Sequence, residues 1–148
     1  MSDTEFVTFE VAGQLFGLPV GRVHEVFRPR AASPVPLSRP EIAGVLNLRG
    51  RIVTLVCVRR RLGVPPRSEG APAPMALRVE RGGDSHGLLV DAVDEVLKLP
   101  DSAGEPAPSN LDPRWAGVSG GVYRLDARLL VALDVDRLLD LPAQAAAA

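Results

Sequence analysis

Two segments of the chain carry nearly the same text. GLPVGRVHEV at residues 17–26 and GLLVDAVDEV at residues 87–96 agree at six of ten positions. A second pair, RIVTLVCVRRRL at 51–62 and RLLVALDVDRLL at 128–139, agrees at four of twelve, and most of its other pairs are apolar against apolar. The same order of apolar and polar residues buries the same face of the same element, so a chain written twice folds into two similar units. Each half reads strand, strand, short helix, strand, strand, short helix.

The pieces within each unit are short. Residues 6–11 and 14–18 read as a hairpin across Ala12-Gly13, and residues 43–48 and 51–58 as a second one. Val20, Val23, Val26 and Phe27 stand at helical spacing, which predicts a short helix over residues 20–27 stopped by Pro29. Its counterpart in the second half is expected to stop at Leu99-Pro100. Pro34, Pro36 and Pro40 predict an extended connector, 59–62 one helical turn, and 135–139 a helix capped by Asp134. The loop GVPPRSEGAPAP at 63–74 holds no regular element. The alanine-rich 143–148 reads as a frayed tail. Aromatics are only 4% of the residues, so the core must come mainly from Val and Leu, and Val favours strands. Short strands punctuated by Gly and Pro predict a mainly β fold of two small barrels within one domain, 1–148. The lobes are expected at about 14–74 and 75–148, with the N-terminal strand free to exchange between them.

Charge and cysteine content narrow the function. The net charge is −1, but residues 1–74 sum to +4 and residues 75–148 to −5. Such a dipolar chain can offer different partners opposite faces. The N-terminus lacks the basic stretch of a signal peptide, and no run approaches the ~20 apolar residues of a membrane span. A single Cys excludes an internal disulfide. These features lead us to expect a soluble cytoplasmic protein with no direct membrane insertion.

Chemistry-bearing residues are few. Cys57 sits in an apolar strand with no His near it in sequence, so an inert thiol is expected. His24 and His86 form no ligand spacing with Cys57, and no metal site is expected. Asp84, Ser85 and His86 are neighbours on an expected turn, where a triad rarely converges. Trp115 suits either an inter-lobe seam or a partner surface. The run Arg59-Arg60-Arg61, with Arg49 and Arg51, supports the alternative of a small β-barrel that binds nucleic acid. Few stacking aromatics and an acidic second half argue against it, and no nucleic-acid partner is expected.

The stretch VLNLRGRIV (45–53) remains, with Asn47, Arg49, Gly50 and Arg51 inside an apolar hairpin. By itself it suits a phosphate cradle, a plain turn or a surface read by a protein. In order along the chain, FGLPVGRVHEVFRP, IAGVLNLRGRIVTLVCVRRRLG and HGLLVDAVDEVLKLP resemble successive signatures of the CheW-like coupling proteins of bacterial chemosensory systems. The resemblance runs from about Phe6 to Leu141, and the Asn-Leu-Arg-Gly turn is its most specific motif.

The resemblance implies two five-stranded SH3-like β-barrel lobes with short helices around a shared apolar core, no catalytic activity and no cofactor. The implied partners are the cytoplasmic tip of methyl-accepting chemoreceptors and the regulatory domain of a CheA-type histidine kinase. The implied receptor-binding positions are Val23, Glu25, Gly44 and Arg49, with Glu25 pairing Arg49. Gly50 is expected at positive φ, and Arg51 is expected to be solvated. Kinase-facing residues are not assigned, because the repeat gives both lobes similar edges. Thr54 and Cys57 stand where the family usually has proline and aspartate. A Cys caps a helix poorly, so the turn at 59–62 is expected to be weaker than its counterpart.

Overall fold

The computed structural model describes residues 2–30, 32–36 and 39–140; the tail expected at 143–148 lies outside the described residues. Eleven strands, β1 (Asp3–Val11), β2 (Gln14–Pro19), β3 (Glu25–Phe27), β4 (Ile42–Leu48), β5 (Arg51–Cys57), β6 (Met75–Arg81), β7 (Asp84–Val90), β8 (Ala92–Pro100), β9 (Gly104–Glu105), β10 (Ser119–Arg124) and β11 (Leu129–Leu133), make two sheets. Among the described residues there are three short α-helices, α1 (Val58–Arg61), α2 (Pro113–Ala116) and α3 (Val135–Leu139). The first sheet runs β8-β1-β2-β11-β10-β9 and the second β3-β6-β7-β5-β4. The fold is mainly β, as expected, with two sheets of similar construction.

The sheets do not divide the chain at residues 74 and 75. The hairpin β1–β2 joins the strands of the second half, and the hairpin β6–β7 joins those of the first. Each half thus lends its opening hairpin to the other lobe. The exchange expected for the N-terminal strand is reciprocal. Its physical signature is one parallel contact per sheet, β2 against β11 and β5 against β7, in otherwise antiparallel ladders.

Both faces of the exchanged strands are buried, and this ties the lobes together. Phe6, Leu15, Tyr123, Leu130 and Ala132 fill one lobe. Phe27, Leu46, Val53, Leu55 and Ala76 fill the other. Between them lies a larger core, to which β1 and β2 contribute Phe9, Phe16 and Leu18 and β6 and β7 contribute Leu77, Val79 and Leu88. Trp115 on α2 belongs to this seam. Its ring meets Phe16 edge-on, with centroids 5.4 Å apart, and its Nε1–H donates to the Leu62 carbonyl at 3.0 Å.

Three local expectations change. The helix expected over residues 20–27 is a single 3₁₀ turn, Val20–Arg22, followed by strand β3. β3 pairs with β6, Glu25 opposite Arg78 and Phe27 opposite Ala76, which leaves Val26 exposed and Phe27 buried. Strand pairing outweighs an eight-residue helical spacing that is too short to hold a helix alone. The counterpart in the second half is strand β8, for the same reason. Asp84, Ser85 and His86 lie on β7 rather than a turn, so Ser85 and His86 point to opposite faces.

Candidate functional site

The stretch that resisted a purely structural reading closes the β4–β5 hairpin. Leu48 pairs with Arg51, which leaves Arg49 and Gly50 as the two-residue turn. Their φ values are 52° and 85°. Positive φ at both central positions is the requirement of a type I′ hairpin, whose twist matches that of its strands. Gly50 meets it freely, whereas Arg49 carries a side chain in the left-handed region at a cost of about 1 kcal/mol. Asn47 offsets this, because its Oδ1 accepts the Gly50 N–H at 2.7 Å and closes the turn from the side. The Asn thus holds the turn while the Arg is displayed by it.

The displayed guanidinium reaches β3. Arg49 donates through Nη2 to Glu25 Oε1. The same carboxylate oxygen accepts from Arg78 Nε on β6 at 3.1 Å. Arg78 continues through Nη1 to Glu80 Oε2 at 2.8 Å, and Glu80 Oε2 also accepts from Arg51 Nη1 at 2.9 Å. Five charges therefore alternate across three strands and one turn: Arg49, Glu25, Arg78, Glu80, Arg51. The middle arginine is shielded at 16% side-chain exposure, whereas Arg49 and Arg51 stand open at 69% and 56%. With Leu48, Glu25 and the three arginines line a cleft of about 220 Å³.

The chain of ion pairs sets the protonation of its members. The hydrogen bond from Arg49, helped by Arg78, holds the Glu25 carboxyl below the usual glutamate range. The hydrogen bond from Arg78 does the same for Glu80, with His24 and Arg51 adding attraction. Both carboxylates stay charged at neutral pH, as their role as anchors requires.

Of the four positions implied by resemblance, the structure brings Glu25 and Arg49 together. Val23 is half-buried against the inter-lobe core and does not line the cleft. Gly44 is buried at a β-bulge with φ of 152°, where a Cβ would lie 2.6 Å from the Ser33 carbonyl oxygen. Its requirement for glycine is met within the fold. Arg51 is ion-paired rather than merely solvated. Arg78 and Glu80 were not singled out in the sequence, because nothing in their strand spacing shows which charges lie across from them. In the other sheet the matching turn lies between β10 and β11 at 125–128, with Asp126 and Ala127 at its tip.

Other candidates are accounted for locally. Arg59 forks onto Asp91 at 2.8 and 2.6 Å, and Arg61 donates to the carbonyls of Leu138 and Arg137 at the end of α3. The triple arginine therefore spends two of its three cations inside the molecule. Cys57 precedes α1 and makes no side-chain cap, whereas Asp134 Oδ1 accepts the Arg137 N–H at 3.1 Å. Among the described residues no three His, Cys, Asp or Glu side chains converge as a metal site. No described helix is long and apolar enough to cross a membrane.

The chain is similar to known proteins over nearly its whole length. Residues 5–143 match the CheW-like domain family. Chemotaxis protein CheW of Thermotoga maritima is 30% identical over 141 residues, which cover 95% of this chain and 90% of that protein. The probable chemotaxis protein CheW of Rhizobium etli is 29% identical over 139 residues, covering 92% and 87%. The crystal structure of the scaffolding protein TtCheW from Thermoanaerobacter tengcongensis superposes with a TM-score of 0.84 at 27% identity, covering 97% of this chain and 92% of that one. The chain belongs to the CheW-like domain family.

Proposed function

We propose that this protein is a non-enzymatic adaptor that couples methyl-accepting chemoreceptors to a CheA-type histidine kinase in a bacterial chemosensory array. The observation that carries the reading is the exposed Arg49 turn, held on Glu25 at the rim of a cleft in a chain of this family. Each glutamate of the chain is held by two arginines, and the Ser85 hydroxyl beside it accepts from Arg78 Nη1 at 3.5 Å. Such a surface recognises rather than reacts. The receptor tip docks at Glu25 and Arg49, and the regulatory domain of the kinase occupies a separate face. Relatives named for chemotaxis and a structural neighbour described as a scaffolding protein support this role.

Binding to nucleic acid finds less support. Its expected basic surface needs Arg59 and Arg61, which are committed to Asp91 and to the end of α3. The working cytoplasmic location follows from the adaptor role, since both proposed partners present these domains to the cytoplasm.

The test is calorimetric titration of the chain with a receptor-tip fragment and, separately, with the kinase regulatory domain of the same organism. Saturable binding to both is expected. Arg49→Ala should weaken tip binding roughly tenfold, about 1.4 kcal/mol, with its melting transition retained. Unchanged tip binding by that variant would remove Arg49 from the site, and failure of the native chain to bind either partner would overturn the adaptor reading.

A further inference from the structure

The cleft at the arginine turn is not electrically balanced. Its alternating chain holds three guanidinium groups and two carboxylates, and so carries one uncompensated positive charge. The excess cannot sit on Arg78, which bonds to both carboxylates from the shielded centre. It falls on the two exposed ends, Arg49 and Arg51, each of which uses one terminal nitrogen on its glutamate. A guanidinium offers five N–H donors in a planar fork, so both ends retain donors on their outer edges. The two ends line a cleft of about 220 Å³, to which Leu48 also contributes.

We infer that the cleft between Arg49 and Arg51 is a carboxylate-binding subsite that takes one acidic side chain of the docking receptor tip, with Arg78 as the positioning residue that holds both glutamate anchors. This rests on the adaptor reading and adds the chemistry of the partner. A carboxylate arriving between two arginines restores neutrality and receives charge-assisted hydrogen bonds from planar donors. Neither arginine needs to reorganise, because Glu25 and Glu80 already hold them. Arg78 makes those holds interdependent. Its Nε reaches Glu25 and its Nη1 reaches Glu80, so loss of one guanidinium frees both anchors.

The experiment titrates the full chain with a receptor-tip fragment over a range of salt concentrations, using Arg51→Glu and a set of tip variants in which each acidic residue is changed singly to Lys. Arg51→Glu is expected to lose about tenfold in tip affinity and to flatten the salt dependence. One acidic-to-Lys tip variant should bind the native chain poorly and Arg51→Glu nearly as well as the native pair. Kinase-domain binding should be the same in both chains. Native-like tip affinity of Arg51→Glu, or failure of every tip variant to restore binding, would overturn the subsite while leaving the adaptor role standing. A native chain that binds the kinase domain but not the tip would overturn both. Arg78→Met keeps an unbranched apolar stem and removes both hydrogen bonds to the glutamates. It should weaken tip binding as much as Arg51→Glu and leave kinase-domain binding unchanged. Equal loss toward both partners would make Arg78 a purely structural residue and overturn its positioning role.

Discussion

The two lobes answer the same structural problems at matching positions, and differ in the charges they display. At the bulge that opens β4, Gly44 has φ of 152° and a Cβ there would meet the Ser33 carbonyl oxygen at 2.6 Å. At the bulge that opens β10, Gly121 has φ of 126° and its Cβ would meet the Glu105 carbonyl oxygen at 2.9 Å. Backbone demands are thus duplicated. The charges are not. The turn after β4 presents Arg49 to Glu25, whereas the turn after β10 carries Asp126, and Glu95, the counterpart of Glu25, stands exposed with no arginine turn aimed at it. What both lobes share is what the fold requires; what one lobe has alone is the best guide to what binds.

That comparison breaks most severely if the lobes are independent. Phe16→Ala in the inter-lobe core should cost about 3–5 kcal/mol, as for other large-to-small core changes. It should lower one common unfolding transition rather than one of two, because residues of both sheets pack around it. Two separate transitions in chemical denaturation, with one unmoved, would show that the seam does not couple them.

The glycine pair sharpens the parallel at a smaller scale. Gly44→Ala and Gly121→Ala each force a side chain into a disfavoured backbone region against a carbonyl oxygen, at about 1–3 kcal/mol. Similar losses of thermal stability are expected, with Gly44→Ala the larger because its approach is closer. A stable Gly44→Ala that fails to bind the receptor tip would instead place Gly44 in the contact.

The helix caps give the smallest effect. Cys57→Asp supplies α1 with the cap that Asp134 gives α3, and should add about 0.5–2 kcal/mol to stability. Asp134→Ala should lose a similar amount. A Cys57→Asp chain that melts lower than the native one would show that the thiol packs more favourably than a carboxylate caps.

Much of this was legible in the residues. The hairpin around Ala12-Gly13, the β4–β5 hairpin, the helix at Val135–Leu139 and its Asp134 cap follow from local patterns, and local patterns suffice where an element's hydrogen bonds are made with near neighbours in sequence. The segment 20–27 misled because its partner, β6, lies some fifty residues away and pairing there overrides spacing. The exposed arginine of the turn was visible through its motif. Arg78 and Glu80 were not, since an alternating strand announces which residues share a face but not which strand lies beside it.

The sequence by itself determined a mainly β chain of two related units and the turn that displays Arg49, because strand periodicity, turn chemistry and the repeat are all short-range features. Only the tertiary structure decided that the opening hairpins change places, that Trp115 closes the seam, and that five charges from three strands and one turn link into one chain. Those outcomes depend on which apolar faces bury one another across long sequence separations. That choice is made by packing the whole molecule at once.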